Sequence, residues 1–355
     1  MEIKAPLADL AKNKLIRLSK SCIGDAEKQA VMSVLDREYL GMGIEVQKFE
    51  KALSDFFNRP AICVVNGTAA LHLAIQACKI NYGDEVLVPS LTYIASFQAI
   101  SATGATPIPC DIDKDTCLLD LNDAEKRITK QTKAIMPVHY TGGVGEMEYL
   151  YEFANKYNLR IIEDAAHAFG TIYNGKRVGS FGDISCFSFD GIKNMTSGEG
   201  GCIVTNDEDL LAEIQDSRLL GVTKDTENRY NNKRSWIFEV KNQGWRYHMS
   251  NIMAAIGMEQ LKKFPKIAKK RQNLAKYYDH KFFNIREVVS LPRNYDEVVP
   301  HIYVVKIKSI KNKKLLQSKM LKKGIEIGFH YQPNHSLSYY KLNQTIPLRT
   351  SEDIW

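Results

Sequence analysis

Lys193 is the residue around which chemistry can be built. It lies in the stretch 185–207, SCFSFDGIKNMTSGEGGCIVTND, after a short apolar strand (186–189) and before a Gly198-Glu199-Gly200-Gly201 corner that opens a second strand, 202–205. A lysine walled by aromatic residues and glycines is desolvated. Desolvation lowers the pKa of the amine and frees its lone pair for attack. Such an amine can form a Schiff base with a carbonyl compound. Taken alone, Lys193 is also an ordinary loop lysine beside a hairpin, and its significance depends on the residues upstream.

Four further positions give it company. Asn66-Gly67-Thr68-Ala69-Ala70 follows an apolar strand and opens a helix. Small residues at a helix N-terminus let backbone N–H groups and the helix dipole meet a phosphate, and Thr68 adds a hydroxyl. The same residues also serve as a turn and helix cap. Tyr93 starts the helix after the next strand, where its ring could stack on a flat ligand or simply join the core. Asp164 ends the strand 160–163 among small alanines. A carboxylate in that setting either caps a helix or needs a cationic partner, and a protonated pyridine nitrogen is one. His167 could hydrogen-bond a ring substituent, and Ser188, five residues before Lys193, is a second phosphate ligand. A phosphate cup, a ring stacker, an anion for a ring nitrogen and an amine are together the equipment that holds pyridoxal phosphate (PLP). No G-x-G-x-x-G follows any strand, which speaks against a dinucleotide-dependent dehydrogenase.

These residues must be carried by regular elements. Helical spacing occupies 24–40 and 46–57. Strands at 61–65, 85–88, 107–110, 134–138 and 160–163 then alternate with helices at 68–78, 93–102, 123–127 and 147–157. This alternation predicts an α/β fold with a mainly parallel sheet covered on both faces. Ligands gather at the carboxyl ends of such strands, where the residues above fall. Residues 1–24 read as an arm. From 249 the character changes to a helix at 251–261, a lysine-rich helix reaching 282, a strand at 302–307 and a helix at 314–323. The division is therefore an arm and large domain, 1–248, and a small C-terminal domain, 249–355, in keeping with a 355-residue chain.

Composition narrows the class. No apolar run nears the roughly 20 residues that span a bilayer, and the N-terminus lacks a signal-peptide core. The seven cysteines never form C-x-x-C, so neither a disulfide framework nor a zinc site, nor any other metal, is indicated. A cytoplasmic protein is expected. The net charge of +7 concentrates in 261–272 and 306–324, as solvated helix faces or as a field that steers an anionic substrate such as a nucleotide sugar. No recognition motif for nucleic acid accompanies those lysines.

The segments NGTAALHLAI, VPSLTYIAS, EDAAHAFGTIYNGKRVGSFGD, FSFDGIKNMTSGEGG and AAIGMEQLKK together resemble the DegT/DnrJ/EryC1/StrS family, from about residue 24 to the chain end. Those enzymes use PLP, mostly to aminate keto sugars carried on nucleotides. The resemblance implies the aspartate-aminotransferase fold (fold type I), with a mainly parallel seven-stranded sheet and a smaller C-terminal α/β domain, working as a homodimer with shared active sites. It implies Lys193 as the Schiff-base lysine and Asp164 as partner of the pyridinium nitrogen. Gly67, Thr68 and Ser188 would hold the phosphate, Tyr93 would stack on the ring, and His167 would lie beside its phenolic oxygen.

Lysine at 193 differs from the histidine of the family's sugar dehydratases. His167 resembles the 4-aminotransferases, since many 3-aminotransferases carry glutamine there. Arg246 stands where relatives place an asparagine that reaches the neighbouring subunit's phosphate, and His248 where they place an arginine. Within GFHYQPNH, His330, Tyr331 and His335 resemble the substrate-side loop. Relatives continue for some tens of residues past Trp355, so truncation of the small domain is expected. The implied reaction takes L-glutamate as donor and a 4-keto-6-deoxy nucleotide sugar, such as dTDP-4-dehydro-6-deoxy-D-glucose, as acceptor, for O-antigen (lipopolysaccharide) or other surface polysaccharide. A 3-keto sugar aminotransferase and a non-catalytic PLP-binding regulator are the alternatives.

Overall fold

The computed structural model describes residues 15–234, 236–308, 310, 312–341 and 346–355, so most of the expected arm lies outside the described residues. The strands are β1 (Ala61–Val64), β2 (Glu85–Pro89), β3 (Thr106–Cys110), β4 (Thr132–Ile135), β5 (Arg160–Asp164), the short ribbon β6 (Ile172–Tyr173) and β7 (Lys176–Arg177), β8 (Ile184–Ser188) and β9 (Gly201–Thr205). Seven of them form one sheet in the order β1-β9-β8-β5-β4-β2-β3. Only β9 runs against its neighbours; every other adjacent pair is parallel. β1, β8 and β9 are buried along their whole length, as strands covered on both faces must be.

Alternation along β8 divides the interior into two cores. Ile184 and Cys186 join the face that holds Ile62, Val64, Ile203 and the helix Gly67–Ala77. Phe187 and, just past the strand, Phe189 point the other way, into an aromatic cluster with Phe49, Phe57 and Phe169. There Phe57 stacks on Phe187 at 4.8 Å and meets Phe169 edge-on at 5.7 Å, the geometries that aromatic quadrupoles favour. Ser188 shares the face of Ile184 and Cys186, so the period-two strand aims its hydroxyl toward the helix that starts at Gly67.

The two expected helices from 251 to 282 are one continuous helix, Asn251–Phe282, with Pro265 inside it. Proline removes one backbone hydrogen bond there. The helix survives because the turn before the proline is anchored: Phe264 lies in the aromatic core, and Gln260 donates to Cys22 O at 2.8 Å and to Glu27 Oε1 at 2.6 Å. The expected strand at 302–307 shrinks to β11 (Val305–Ile307), paired antiparallel with β10 (Val288–Ser290). Among the described residues no helix is long and apolar enough to cross a membrane.

Arg218 is fully buried at the β1 edge of the sheet. It pairs with Glu50, donates to Cys63 O at 2.7 Å and reaches Tyr230 Oη at 3.1 Å. Its own carbonyl accepts from Tyr247 N at 3.0 Å, and Val65 N donates to Tyr247 O at 2.7 Å. The segment carrying Arg246 is thereby stitched to the strand that leads into Gly67.

Candidate active site

Sheet register brings the candidate residues to one edge. Val64, Gly201 and Ser188 stand in one row across β1, β9 and β8, and Asp164 of β5 lies beside Cys186 of β8. The chain after β1 turns through Asn66, whose Oδ1 caps the next helix by accepting from Ala69 N at 2.8 Å. That leaves the first N–H groups of the helix, at Gly67 and Thr68, with no carbonyl in their own helix to meet. Two glycines permit the close approach. A Cβ on Gly67 would lie 2.8 Å from Ser188 Cβ, and one on Gly201 would lie 2.7 Å from the carbonyl of Asn66. Thr68 is exposed and Ser188 buried, so the cup opens toward solvent on the Thr68 side.

Lys193 is half-buried in the loop after β8. Burial lowers its pKa, against the opposing charges of Asp164 and Asp190. Asp164 is buried; its Oδ1 accepts from Ala166 N at 3.2 Å and its Oδ2 from Ser96 Oγ at 2.7 Å. His167 is also buried, its Nδ1 3.4 Å from Thr141 N and its Nε2 3.4 Å from Tyr331 Oη. Tyr93 caps its helix with an exposed ring whose centroid is 5.7 Å from that of Tyr331. His330 adjoins Tyr331, and burial and the charge of Lys193 hold it below the usual imidazole range.

Two candidates stand apart from this group. His335 has both ring nitrogens engaged, Nδ1 with Ser90 Oγ at 2.7 Å and Nε2 with Glu352 Oε1 at 3.2 Å. Arg246 is exposed, its backbone bridged to Leu219.

Sequence reasoning missed Ser96 and His301. Ser96 follows Thr92 at helical i, i+4 spacing, a hydroxyl pair that was legible but unremarkable. His301 packs its ring 4.4 Å from that of His167, and its Nδ1 is buried without a protein partner. Only a histidine inside the apolar run VVPHIYVV signalled it.

The residues fit PLP on observations of this chain. The Gly67–Ser188 cradle is kept open by a missing Cβ, and a fixed, buried carboxylate lies on the adjacent strand with lone pairs left to offer. A half-buried amine is attracted to that same carboxylate. Refilling the cradle should be costly. Gly67→Ala is expected to weaken PLP binding by about ten-fold or more, since overpacking costs about 1–3 kcal/mol. Titration of the purified variant with PLP checks this, and an unchanged dissociation constant would contradict the cradle.

The histidines also dictate a pH response. Burial first, then the charge of Lys193, holds His167 and His301 well below the ordinary range. Burial and three nearby arginines lower His248 to about 4. In the unfolded chain these rings titrate near roughly 6.5. As pH falls through that value the unfolded state takes up protons that the fold refuses, so stability falls with pH. The urea midpoint should drop between pH 7.5 and pH 5, before most carboxylates titrate. Equal midpoints at the two pH values would refute it.

The sequence matches the DegT/DnrJ/EryC1/StrS aminotransferase family over residues 21–355. It is 36% identical over 338 residues to the spore coat polysaccharide biosynthesis protein SpsC of Bacillus subtilis, covering 93% of this chain and 86% of that protein. Helicobacter pylori PseC, an aminotransferase involved in the biosynthesis of pseudoaminic acid, superposes with a TM-score of 0.88 at 30% identity over 96% of this chain and 91% of that one. Spr1654 from Streptococcus pneumoniae, solved in PLP and PMP forms, has a TM-score of 0.88 to this chain; its PLP form is 29% identical over 96% of this chain and 91% of that one. Fold and relatives together define a PLP-dependent sugar aminotransferase of fold type I. The chain belongs to the DegT/DnrJ/EryC1/StrS aminotransferase family.

Proposed function

We propose that this aminotransferase moves the amino group of L-glutamate to carbon 4 of a nucleotide-linked 4-keto-6-deoxy sugar, such as dTDP-4-dehydro-6-deoxy-D-glucose, for O-antigen or related surface polysaccharide. The observation that carries the reading is the convergence of Lys193, Asp164 and His167 on one sheet edge beside the Gly67–Ser188 cradle. Gly67, Thr68 and Ser188 would hold the cofactor phosphate, Tyr93 would stack on the ring, Asp164 would pair with the ring nitrogen, and His167 would lie beside the phenolic oxygen. Bound PLP supplies an electron sink for charge developing at the carbon that bears the amine. Lys193 Nζ, partly desolvated, is the amine that would hold the cofactor, and as a free amine it would move the Cα proton of the donor. The assignment to carbon 4 is supported by histidine, rather than glutamine, at 167.

In this reading residues 1–248 bind the cofactor and 249–355 supply the loop that meets the sugar through His330 and Tyr331. His335 fixes that loop through its contacts with Ser90 and Glu352. Arg246 reaches the phosphate in a second copy of the chain, completing two shared sites in a homodimer. The exposed run Trp236-Ile237-Phe238 nearby offers apolar surface for that copy to cover. The seven free cysteines fit a reducing, cytoplasmic compartment.

The test begins with the absorption spectrum of the PLP-loaded protein before and after glutamate. Loss of the visible band, near about 410–430 nm from the cofactor's own chemistry, reports the donor half-reaction. Nucleotide-linked 3-keto and 4-keto sugars are then offered and the products assigned by NMR. A 3-amino product, or no product from any 4-keto sugar, would overturn the proposal.

A further inference from the structure

Asp164 is held by two donors, and one of them belongs to a chain of hydroxyls. Ser96 Oγ lies 2.7 Å from Asp164 Oδ2 and 3.0 Å from Thr92 Oγ1. Ser96 is wholly buried and Thr92 nearly so. The carboxylate oxygen accepts, and Ser96 Oγ donates to it. The Ser96 oxygen is then left to accept, which makes Thr92 the donor to Ser96. The chain runs one way, Thr92 to Ser96 to Asp164, and each bond polarises the next.

Both ends of the chain are anchored. Ala166 N fixes the other carboxylate oxygen, so the plane of the carboxylate cannot turn without losing a hydrogen bond. At the far end, the Thr92 carbonyl accepts from Asn334 Nδ2 at 2.8 Å. The same amide donates to Ser90 O at 3.1 Å, and Asn334 N donates to Ser90 O at 2.9 Å. Asn334 is buried and stands three residues after Tyr331.

We propose that Ser96 and Thr92 are positioning residues that hold the Asp164 carboxylate aimed at the cofactor's ring nitrogen. Asn334 ties their backbone to the loop that carries His330 and Tyr331. The inference rests on the reading of Asp164 as partner of that nitrogen. A serine that only filled space would need neither a carboxylate on one side nor a second buried hydroxyl on the other. Hydrogen bonds to a charged acceptor are among the strongest that side chains make, so the loss of this one should be measurable.

The experiment compares wild type with Ser96→Ala, Thr92→Val, Thr92→Ser and Asp164→Asn. Two quantities are read on each: the PLP dissociation constant, and the pH midpoint of the bound cofactor's visible absorption. Ser96→Ala is expected to bind PLP about ten-fold more weakly. Its pH midpoint should move from the wild-type value toward that of Asp164→Asn. Thr92→Val should move both quantities the same way by less, and Thr92→Ser, which keeps the hydroxyl, should match wild type.

If Asp164→Asn itself changes neither quantity, the reading of Asp164 fails. If Asp164→Asn shifts both while Ser96→Ala leaves them at wild-type values, only the inference about Ser96 fails. Weaker binding by Ser96→Ala with an unmoved pH midpoint would mark a packing effect and would also overturn it. Should Ser96→Ala not fold, Thr92→Val decides: wild-type behaviour there refutes the chain.

Discussion

Lys193→Ala should lose transamination by at least about 10³-fold while the protein still binds pyridoxamine phosphate. The magnitude follows from removing two functions at once. A positioned general base contributes about 10²–10⁴-fold, and in the proposed function the same amine would also be the point of covalent attachment. The substitution leaves the cup at Gly67 and Ser188 and the anion at Asp164 in place, because those groups stand on β1, β5 and β8 and in the turns that follow them, rather than on the lysine loop. Single-turnover absorbance after glutamate addition measures the loss, and equilibrium dialysis with pyridoxamine phosphate measures the retained binding. A rate within about ten-fold of wild type would remove Lys193 from the mechanism.

Arg218→Met should destabilise the fold by about 3–5 kcal/mol, the usual result of removing one member of a buried ion pair. Glu50 would keep its bonds to Cys63 N and Tyr230 Oη but lose its cation, and Cys63 O would lose a charged donor. Methionine has nearly the length of the arginine stem, so little of the loss would come from a cavity. Urea unfolding reads the change as a lowered midpoint with an unaltered slope. Adding Glu50→Gln should recover part of the loss by removing the stranded charge, and a double variant no better than the single would deny the pairing. Because the Arg218 carbonyl holds Tyr247, PLP affinity should fall as well if the neighbouring Arg246 serves a second copy.

The sequence alone carried the signals that depend on local order. Alternating strands and helices announced the parallel sheet, and Gly67, Asp164 and Ser188 were legible because each belongs to a strand end or the turn beyond it. Lys193 could be read from its glycines and aromatics, which are sequence neighbours. The apolar residues of β1 and β9 marked those strands as buried to within a residue of their ends, whereas β8 runs 184–188 rather than 186–189 because its buried Ser185 hides the strand's start. The helix Asn251–Phe282 runs through Pro265, a residue that ends helices unless tertiary anchors outweigh its one lost bond.

Tertiary structure decided everything that needs two distant residues to meet. Ser96 and Asp164 are 68 positions apart, and nothing in either segment names the other. His301 reaches His167 only because the chain returns after the long helix, and Arg218 finds Glu50 from 168 positions away. His335 shows the converse: its motif points to a ligand, yet its two nitrogens are already taken by Ser90 and Glu352. Periodicity records which face of an element is buried, because that depends on neighbours along the chain. Which polar group satisfies which carboxylate is set by the packing of elements against one another, and that exists only in the folded chain.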